Sequence, residues 1–285
     1  MANGIIIIDK PQGWTSMDVC AKLRGMLKTK KIGHAGTLDP MATGVLPVFV
    51  GQATRAVSFA ESGSKEYVAG LRLGLVTNTQ DTSGETLETH HVTATAEDLR
   101  AILPRFTGPI EQVPPMFSAI KIGGQKLYEL ARKGQEVERK SRAVTIYELE
   151  LLEQTGEGEY LLRILCSKGT YVRTLCHDIG QALGCGACMT ALRRVKAGEY
   201  DLAQSTPLDR IIACEDPEAL LLPTDSLFAS YPALTLSPAQ EKCCRNGASF
   251  TFGGEGSFRV YGQDGSFLAL SEVKEGKLCT VKSFF

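Results

Sequence analysis

At 285 residues and 30.8 kDa, with 43% hydrophobic and 22% charged residues, the chain has the composition of a globular protein with a sizeable core; this excludes a mainly disordered chain. No apolar run approaches the ~20 residues of a membrane-spanning helix. The opening Met1-Ala2-Asn3-Gly4 and four isoleucines lack a basic leader with a long apolar segment, so no secretory signal is read and the cytoplasm is the expected location. The formal net charge of −1 hides a segregation: residues 1–34 carry six basic groups against two acidic, 105–142 eight against four, and 201–238 one against six. Such a two-faced distribution suits a polyanion on the basic side, or solvated clusters on separate helices. Nine scattered cysteines, an odd number, read as reduced thiols.

Taken in order, the β-branched run at 5–8 ends at Asp9-Lys10-Pro11 and Gly13, which predicts a buried strand entering a loop. A helix is predicted next, capped by Thr15 or Ser16, with Val19, Cys20, Leu23, Met26 and Leu27 at helical spacing. Residues 30–44, rich in glycine and small side chains, predict a constrained loop, and 45–50 a second strand. The alternation over 65–74 predicts another strand, and Thr95-x-x-Asp98 ahead of Leu99 and Ile102 reads as a capping box. Residues 108–124 hold Pro109, Pro114, Pro115 and the Gly123-Gly124 pair, and predict an irregular excursion from the main sheet that enters a helix over 127–132. Strands are predicted at 143–152 and 159–166, and a helix over 170–183 stopped by Gly184. After an acidic, partly helical stretch at 209–225 the pattern changes near Pro232. The glycine-split runs of 248–285 predict a small β module that packs on the larger domain, because about 50 residues lie near the lower limit for folding alone.

Within Gly33-His34-Ala35-Gly36-Thr37-Leu38-Asp39-Pro40, an aspartate stands between glycine turns and a fixing proline. A carboxylate held this way suits a nucleophile, a base or an ion-pair partner, and the first of these needs a positive group nearby. An Asx-turn, bonding only neighbouring amides, is the plainer alternative. Neither G-x-x-x-x-G-K-[ST] nor G-x-G-x-x-G occurs, so the glycines carry no nucleotide-loop signature. Cys185-x-x-Cys188 has no second pair and Cys243-Cys244 no histidines at finger spacing, so no zinc site is predicted. Cys176-His177-Asp178 are consecutive on a predicted helix, point apart, and make a poor triad.

Five ordered motifs together resemble the TruB family of bacterial tRNA pseudouridine-55 synthases. They are Ile8-Asp9-Lys10-Pro11 with Gly13 and Thr15-Ser16; the 33–40 segment with Gly44-Val45-Leu46-Pro47; Lys65-Glu66-Tyr67 leading to Leu73-Gly74; Pro114-Pro115-x-Phe117-Ser118-Ala119-Ile120-Lys121; and Ser167-Lys168-Gly169-Thr170-Tyr171-x-Arg173. The match runs through most of residues 4–200, while the segment after Pro232 matches only in character.

The resemblance implies an α+β catalytic domain of pseudouridine synthase type on a mixed, largely antiparallel sheet. It spans residues 1–232, with an RNA-binding insertion at about 105–142, followed by a PUA-like RNA-binding module over 233–285. It implies isomerisation of uridine 55 in the T-loop of tRNA after base flipping, by a monomer with no cofactor and no obligate protein partner. The reaction breaks the N1–C1′ bond, turns the base and rejoins it through C5 with no redox change. Asp39 takes the nucleophile's position, attacking C1′ of the sugar or C6 of the ring. Arg173 takes that of its ion-pair partner, orienting the carboxylate and keeping its pKa low. Tyr67 takes that of the ring stacked on the target base, with a part in proton transfer. By the same resemblance His34 contacts the disrupted T-loop, Lys10 and Pro11 support the active-site loop with Lys10 near phosphate, and Tyr171 and Leu192 wall the uracil pocket. Two other readings stay open at this point: a non-catalytic tRNA-binding or tRNA-folding protein, and a pseudouridine synthase directed to another RNA.

Overall fold

The four consecutive isoleucines set the layering of the molecule. Successive side chains of a strand point to opposite faces. In the computed structural model, which describes residues 2–285, Ile6 and Ile8 of β1 (Gly4–Lys10) join one buried cluster, and Ile5 and Ile7 join another. A strand that is apolar on both faces has to be covered on both. On the Ile6/Ile8 side the cover begins with α1 (Ser16–Met26), whose start is fixed by a reciprocal cap between Thr15 and Asp18 and whose Val19, Cys20 and Leu23 are buried.

The chain continues through β2 (Ile32–His34), β3 (Thr43–Val50), α2 (Val57–Ser62) and β4 (Lys65–Leu73). A small hairpin, β5 (Leu75–Thr77) and β6 (Thr86–Thr89), precedes α3 (Ala96–Ile102), which buries Leu99 and Ile102 on the α1 side. Then come β7 (Gly108–Gln112), the two-residue strands β8 (Lys121–Ile122) and β9 (Gln125–Lys126), the short helix α4 (Leu127–Ala131), and the long hairpin of β10 (Arg142–Gly156) with β11 (Glu159–Cys166). Helix α5 (Val172–Ala182) packs Leu175, Cys176 and Ile179 onto the sheet before β12 (Ala187–Ala197). β13 (Tyr200–Asp201), β14 (Thr206–Pro207) and α6 (Leu208–Ala213) complete the unit.

The main sheet runs β14-β1-β3-β12-β4-β11-β10-β7, with β2 also on β3 and β13 on β12. Only β1–β14 and β3–β12 are parallel, so the sheet is mixed and largely antiparallel within an α+β fold. Away from β1, β3 pairs with β12 only through Thr43 and Gly44, and with β2 only through Val48–Val50. Residues 45–47 between them face a gap in the sheet. That gap explains a proline inside a central strand: the carbonyl of Pro47 points into it, to accept from the Ala35 amide at 3.0 Å, and the missing N–H of the same residue points the same way. At the seam the backbones nearly touch. Gly44 has φ +100°, and a Cβ there would stand 2.1 Å from the Arg194 carbonyl oxygen, so only glycine fits.

Two local expectations are corrected. The 30–44 segment is not wholly loop, because Ile32–His34 extends along the far half of β3. Residues 108–112 are not an excursion but the edge strand of the main sheet, where Pro109 costs no ladder hydrogen bond from a neighbour on its free side. The C-terminal segment is the expected small β module, with one helix added: α7 (Pro238–Arg245) packs on a five-stranded sheet of β15 (Ala233–Thr235), β16 (Phe250–Thr251), β17 (Ser257–Tyr261), β18 (Phe267–Lys274) and β19 (Lys277–Ser283), ordered β15-β17-β18-β19-β16. This module has its own small core around Leu236, Val260, Leu268 and Leu278. It also covers the Ile5/Ile7 face, where Phe228, Phe267 and Phe284 pack together and Phe59 meets Phe228 edge-on. Arg55 donates to the carbonyls of Ser283 and Phe285 across the same junction. Among the described residues no helix is long and apolar enough to cross a membrane.

Candidate active site

Asp39 lies on the loop between β2 and β3, and the first sequence motif is the scaffold of that loop. Ser16, buried at the head of α1, accepts from the Leu38 amide at 2.9 Å and donates to the Leu38 carbonyl at 3.3 Å. The Gly13 amide donates to the Pro40 carbonyl at 2.8 Å. Lys10 is completely buried, with its amine directed to the carbonyls of Pro11 (2.9 Å), Trp14 (2.7 Å) and Pro40 (3.5 Å), and burial pulls its pKa down to about 8. In this arrangement no amine donor is left over for the expected phosphate contact. All three amine donors go to carbonyls, two on the β1–α1 loop and one on the Asp39 loop, so Lys10 clamps the two loops together, with Pro11 exposed. Lys10→Met strands the Pro11 and Trp14 carbonyls and is expected to lower stability by about 1–3 kcal/mol. Urea unfolding would read this as a lower midpoint at unchanged slope, and an unmoved midpoint would refute the clamp.

Above the loop, Arg173 enters from the first turn of α5 and is 6% exposed. Its Nε stands 3.0 Å from Asp39 Oδ2, and its Nη1 stands 3.5 Å from Asp81 Oδ2. The guanidinium also donates to the carbonyls of Thr79 (3.1 Å) and Phe117 (2.8 Å). Asp81 was not anticipated as a site residue. It lies in the β5–β6 turn, its other carboxylate oxygen accepting from the Thr79 hydroxyl and the Ser83 amide. One permanent cation therefore serves two carboxylates and ties the segment carrying Phe117 to the Asp39 loop.

Tyr67 on β4 is directly opposite Arg194 on β12, and Ala69 is opposite Leu192, so these four share one face of the sheet. Tyr67 and Leu192 are buried at 8% and 9% exposure. Tyr171 caps α5, its amide donating to Gln112 Oε1 and its carbonyl accepting from Gln112 Nε2, which fixes the approach to Arg173. His34, at the end of β2, has a buried Nδ1 without a partner, and burial with the nearby Arg194 charge lowers its pKa, so the ring is neutral at pH 7. Arg194 was also missed. It is 1% exposed and donates from Nε to Val45 O (2.7 Å) and from Nη2 to Gly36 O (3.0 Å).

The electrostatic balance at Asp39 differs from expectation. Burial pushes its pKa above the ordinary carboxylate value; Arg173 and then Lys10 oppose the shift, and Asp81 adds to it. Arg173 thus offsets the cost of a sequestered carboxylate without overcoming it, because its charge is shared with Asp81. The side chain of Asp39 remains 37% exposed, so the carboxylate is open to an incoming group. Burial likewise pushes the Tyr67 phenol up, against the pull of Arg194. Among the described residues no cluster of three or more His, Cys, Asp or Glu side chains offers a metal site.

A family model described as TruB family pseudouridylate synthase (N terminal domain) matches residues 24–172, and one described as the tRNA pseudouridylate synthase B C-terminal domain matches 173–229. The chain belongs to the TruB family of pseudouridylate synthases. Its membership makes it an isomerase. Among its TruB relatives, the tRNA pseudouridine synthase B of Azoarcus sp. (strain BH72) is 43% identical over 282 residues, covering 98% of this chain and 93% of that protein. The protein of the same name from Alkaliphilus oremlandii (strain OhILAs) is 48% identical over 237 residues, covering 83% and 77%. A chain in the crystal structure of a Cbf5-Nop10-Gar1 complex superposes with a TM-score of 0.73 at 26% identity, over all of this chain and 85% of that one. In this TruB-family fold a cavity of about 570 Å³ opens beside the Arg173 anchor points, lined by Asn78, Thr79, Ser83, Glu85, Phe117 and Arg132. It lies between the Asp81 turn and the basic insertion.

Proposed function

We propose that this enzyme converts uridine 55 in the T-loop of tRNA to pseudouridine, with Asp39 as nucleophile. The observation that carries the reading is the Asp39 carboxylate, partly exposed and 3.0 Å from a buried Arg173, on the loop beside the Tyr67 face of the sheet. Curated relatives named tRNA pseudouridine synthase B, matched along nearly the whole chain, support tRNA as the substrate. An isomerisation gains and loses no atoms: the N1–C1′ bond breaks, the C5–C1′ bond forms, and the proton leaving C5 is balanced by one taken up at N1. The protein has to hold the detached half while the base turns, which a carboxylate does by a covalent bond at C1′ or C6. In this reading Arg173 orients that carboxylate, and Tyr67 stacks on the flipped uracil with Tyr171 and Leu192 beside it. His34, neutral and partly exposed, contacts the opened T-loop. The cavity beyond Arg173 has the volume of a nucleotide-sized site, next to the basic 113–141 segment, which tracks the phosphates. Residues 1–232 act as the catalytic domain and 233–285 as a PUA-like RNA-binding module, and the enzyme works as a monomer.

The test is incubation of the purified chain with an unmodified tRNA transcript and no added cofactor, followed by nucleotide-resolution mapping of pseudouridine. Product at position 55 alone is the expected result. Tight tRNA binding without product would favour a binding or folding role, and activity only with a guide RNA would favour another target.

A further inference from the structure

Arg194 is among the largest fully buried side chains of the protein. No carboxylate lies within ion-pair distance of it among the described residues; its donors go to the Val45 and Gly36 carbonyls, and it stands beside the Tyr67 hydroxyl. The two neighbouring buried amines bring no counter-charge either. Lys65 is bonded to the Glu61 and Gly63 carbonyls, and Lys10 to the three carbonyls already described. A buried charge without a counter-ion is costly. A planar guanidinium is the one side chain whose fork reaches several fixed acceptors from a single rigid group. Its acceptors here are informative: from β12 the guanidinium reaches two carbonyls on the β2–β3 side of the gap, Val45 O on β3 and Gly36 O on the loop that leads to Asp39 three residues on. Its own strand is paired with Tyr67.

We propose that Arg194 is a positioning residue of the isomerisation: bonded to the Gly36 carbonyl and standing directly opposite Tyr67 on the β4–β12 ladder, it holds the nucleophile loop and the ring that meets the base in one frame across the gap. This rests on the reading that Asp39 and Tyr67 act on the substrate. The nucleophile is carried on the β2–β3 side of the sheet and Tyr67 on the β12–β4 side, and the two sides share only two backbone pairs. Arg193 also crosses this seam, to Thr43 and Asp9, but Arg194 is the side chain of β12 that reaches the loop carrying Asp39. The positive charge also opposes the rise that burial imposes on the Tyr67 phenol.

The test is single-turnover pseudouridine formation by Arg194→Lys and Arg194→Met, each alone and combined with Tyr67→Phe, with tRNA affinity and thermal unfolding measured on the same samples. Arg194→Lys keeps the charge and loses the fork. Its rate is expected to fall roughly 30- to 100-fold with tRNA affinity almost unmoved, the effect of a misplacement of about 1 Å. In the Tyr67→Phe background the same change is expected to cost far less, since residues acting as a unit are not additive. An unchanged rate in folded Arg194→Lys, an equal loss in both backgrounds, or a loss that merely follows the unfolded fraction would overturn the proposal. So would failure of both Arg194 variants to fold, which would make Arg194 a requirement of the fold alone. Wild-type protein run alongside separates the cases: no product from it sinks the functional reading itself, whereas active wild type with an indifferent Arg194 sinks only this inference.

Discussion

Asp39→Asn is expected to abolish turnover, by roughly 10⁴-fold or more, while tRNA binding stays within a few-fold of wild type. The amide matches the carboxylate in size, so the loop held by Ser16, Gly13 and Lys10 keeps its shape, and only the oxygen proposed as the nucleophile is lost. Stability is expected to move the other way. The folded-state pKa of Asp39 is raised above the unfolded value, so the folded chain binds more protons between the two, and stability falls as pH rises through that window. At neutral pH the ionised side chain is a net cost to the fold, and Asp39→Asn should melt no lower than wild type. The same shift sets the acid limb of kcat/KM. The reactive form is the ionised one, so activity drops as pH falls, and the limb lies above the ordinary carboxylate value of 3.8. Normal turnover by the asparagine variant would refute Asp39 as nucleophile; an acid limb at or below 3.8 would refute the sequestered carboxylate.

Arg173→Lys is expected to lower the single-turnover rate roughly 10²–10³-fold, although the charge is retained. The guanidinium meets four acceptors in different directions, two carboxylates and the Thr79 and Phe117 carbonyls, and a single ammonium cannot span them. The loss should appear in the chemical step, with a smaller rise in the dissociation constant as the Phe117 end of the insertion is released. Arg173→Met removes the charge from beside two carboxylates, and removing one member of a buried pair typically destabilises by about 3–5 kcal/mol. A lysine variant that turns over at the wild-type rate would show that only the charge matters and that the four-point geometry is incidental.

Much of this was legible from sequence where the determinants are local. The Ile5–Ile8 run, the Thr15 and Thr95 caps and the Gly184 stop each act through neighbours in the chain, and each produced its predicted element. What escaped depended on distant partners. Asp81, in the ordinary turn sequence Asn78-Thr79-Gln80-Asp81, acquires its meaning only when α5 brings Arg173 over it. Arg193 and Arg194 are adjacent and of one type, yet strand alternation sends the first to Asp9 and the second into the core, which only the β4–β12 register decides. Lys10 was recognisable as part of a motif but not as a buried clamp, because its acceptors include a carbonyl thirty residues away. Strand β2 was hidden in a glycine-rich stretch since its pairing with β3 is non-local.

The two-residue seam between β3 and β12 also limits how the chain can vary in length. A one-residue insertion or deletion in β12 would slide it by about 3.3 Å and turn every later side chain to the opposite face. Arg194 would then face away from Gly36, and Leu192 away from Ala69. The stretch from 113 to 141, which touches the site through the Phe117 carbonyl, sets no such register and can absorb additions on its far side. Drift in length among related chains should therefore gather in that stretch and in the hairpin turns, leaving the count of residues from Ala187 to Ala197 fixed.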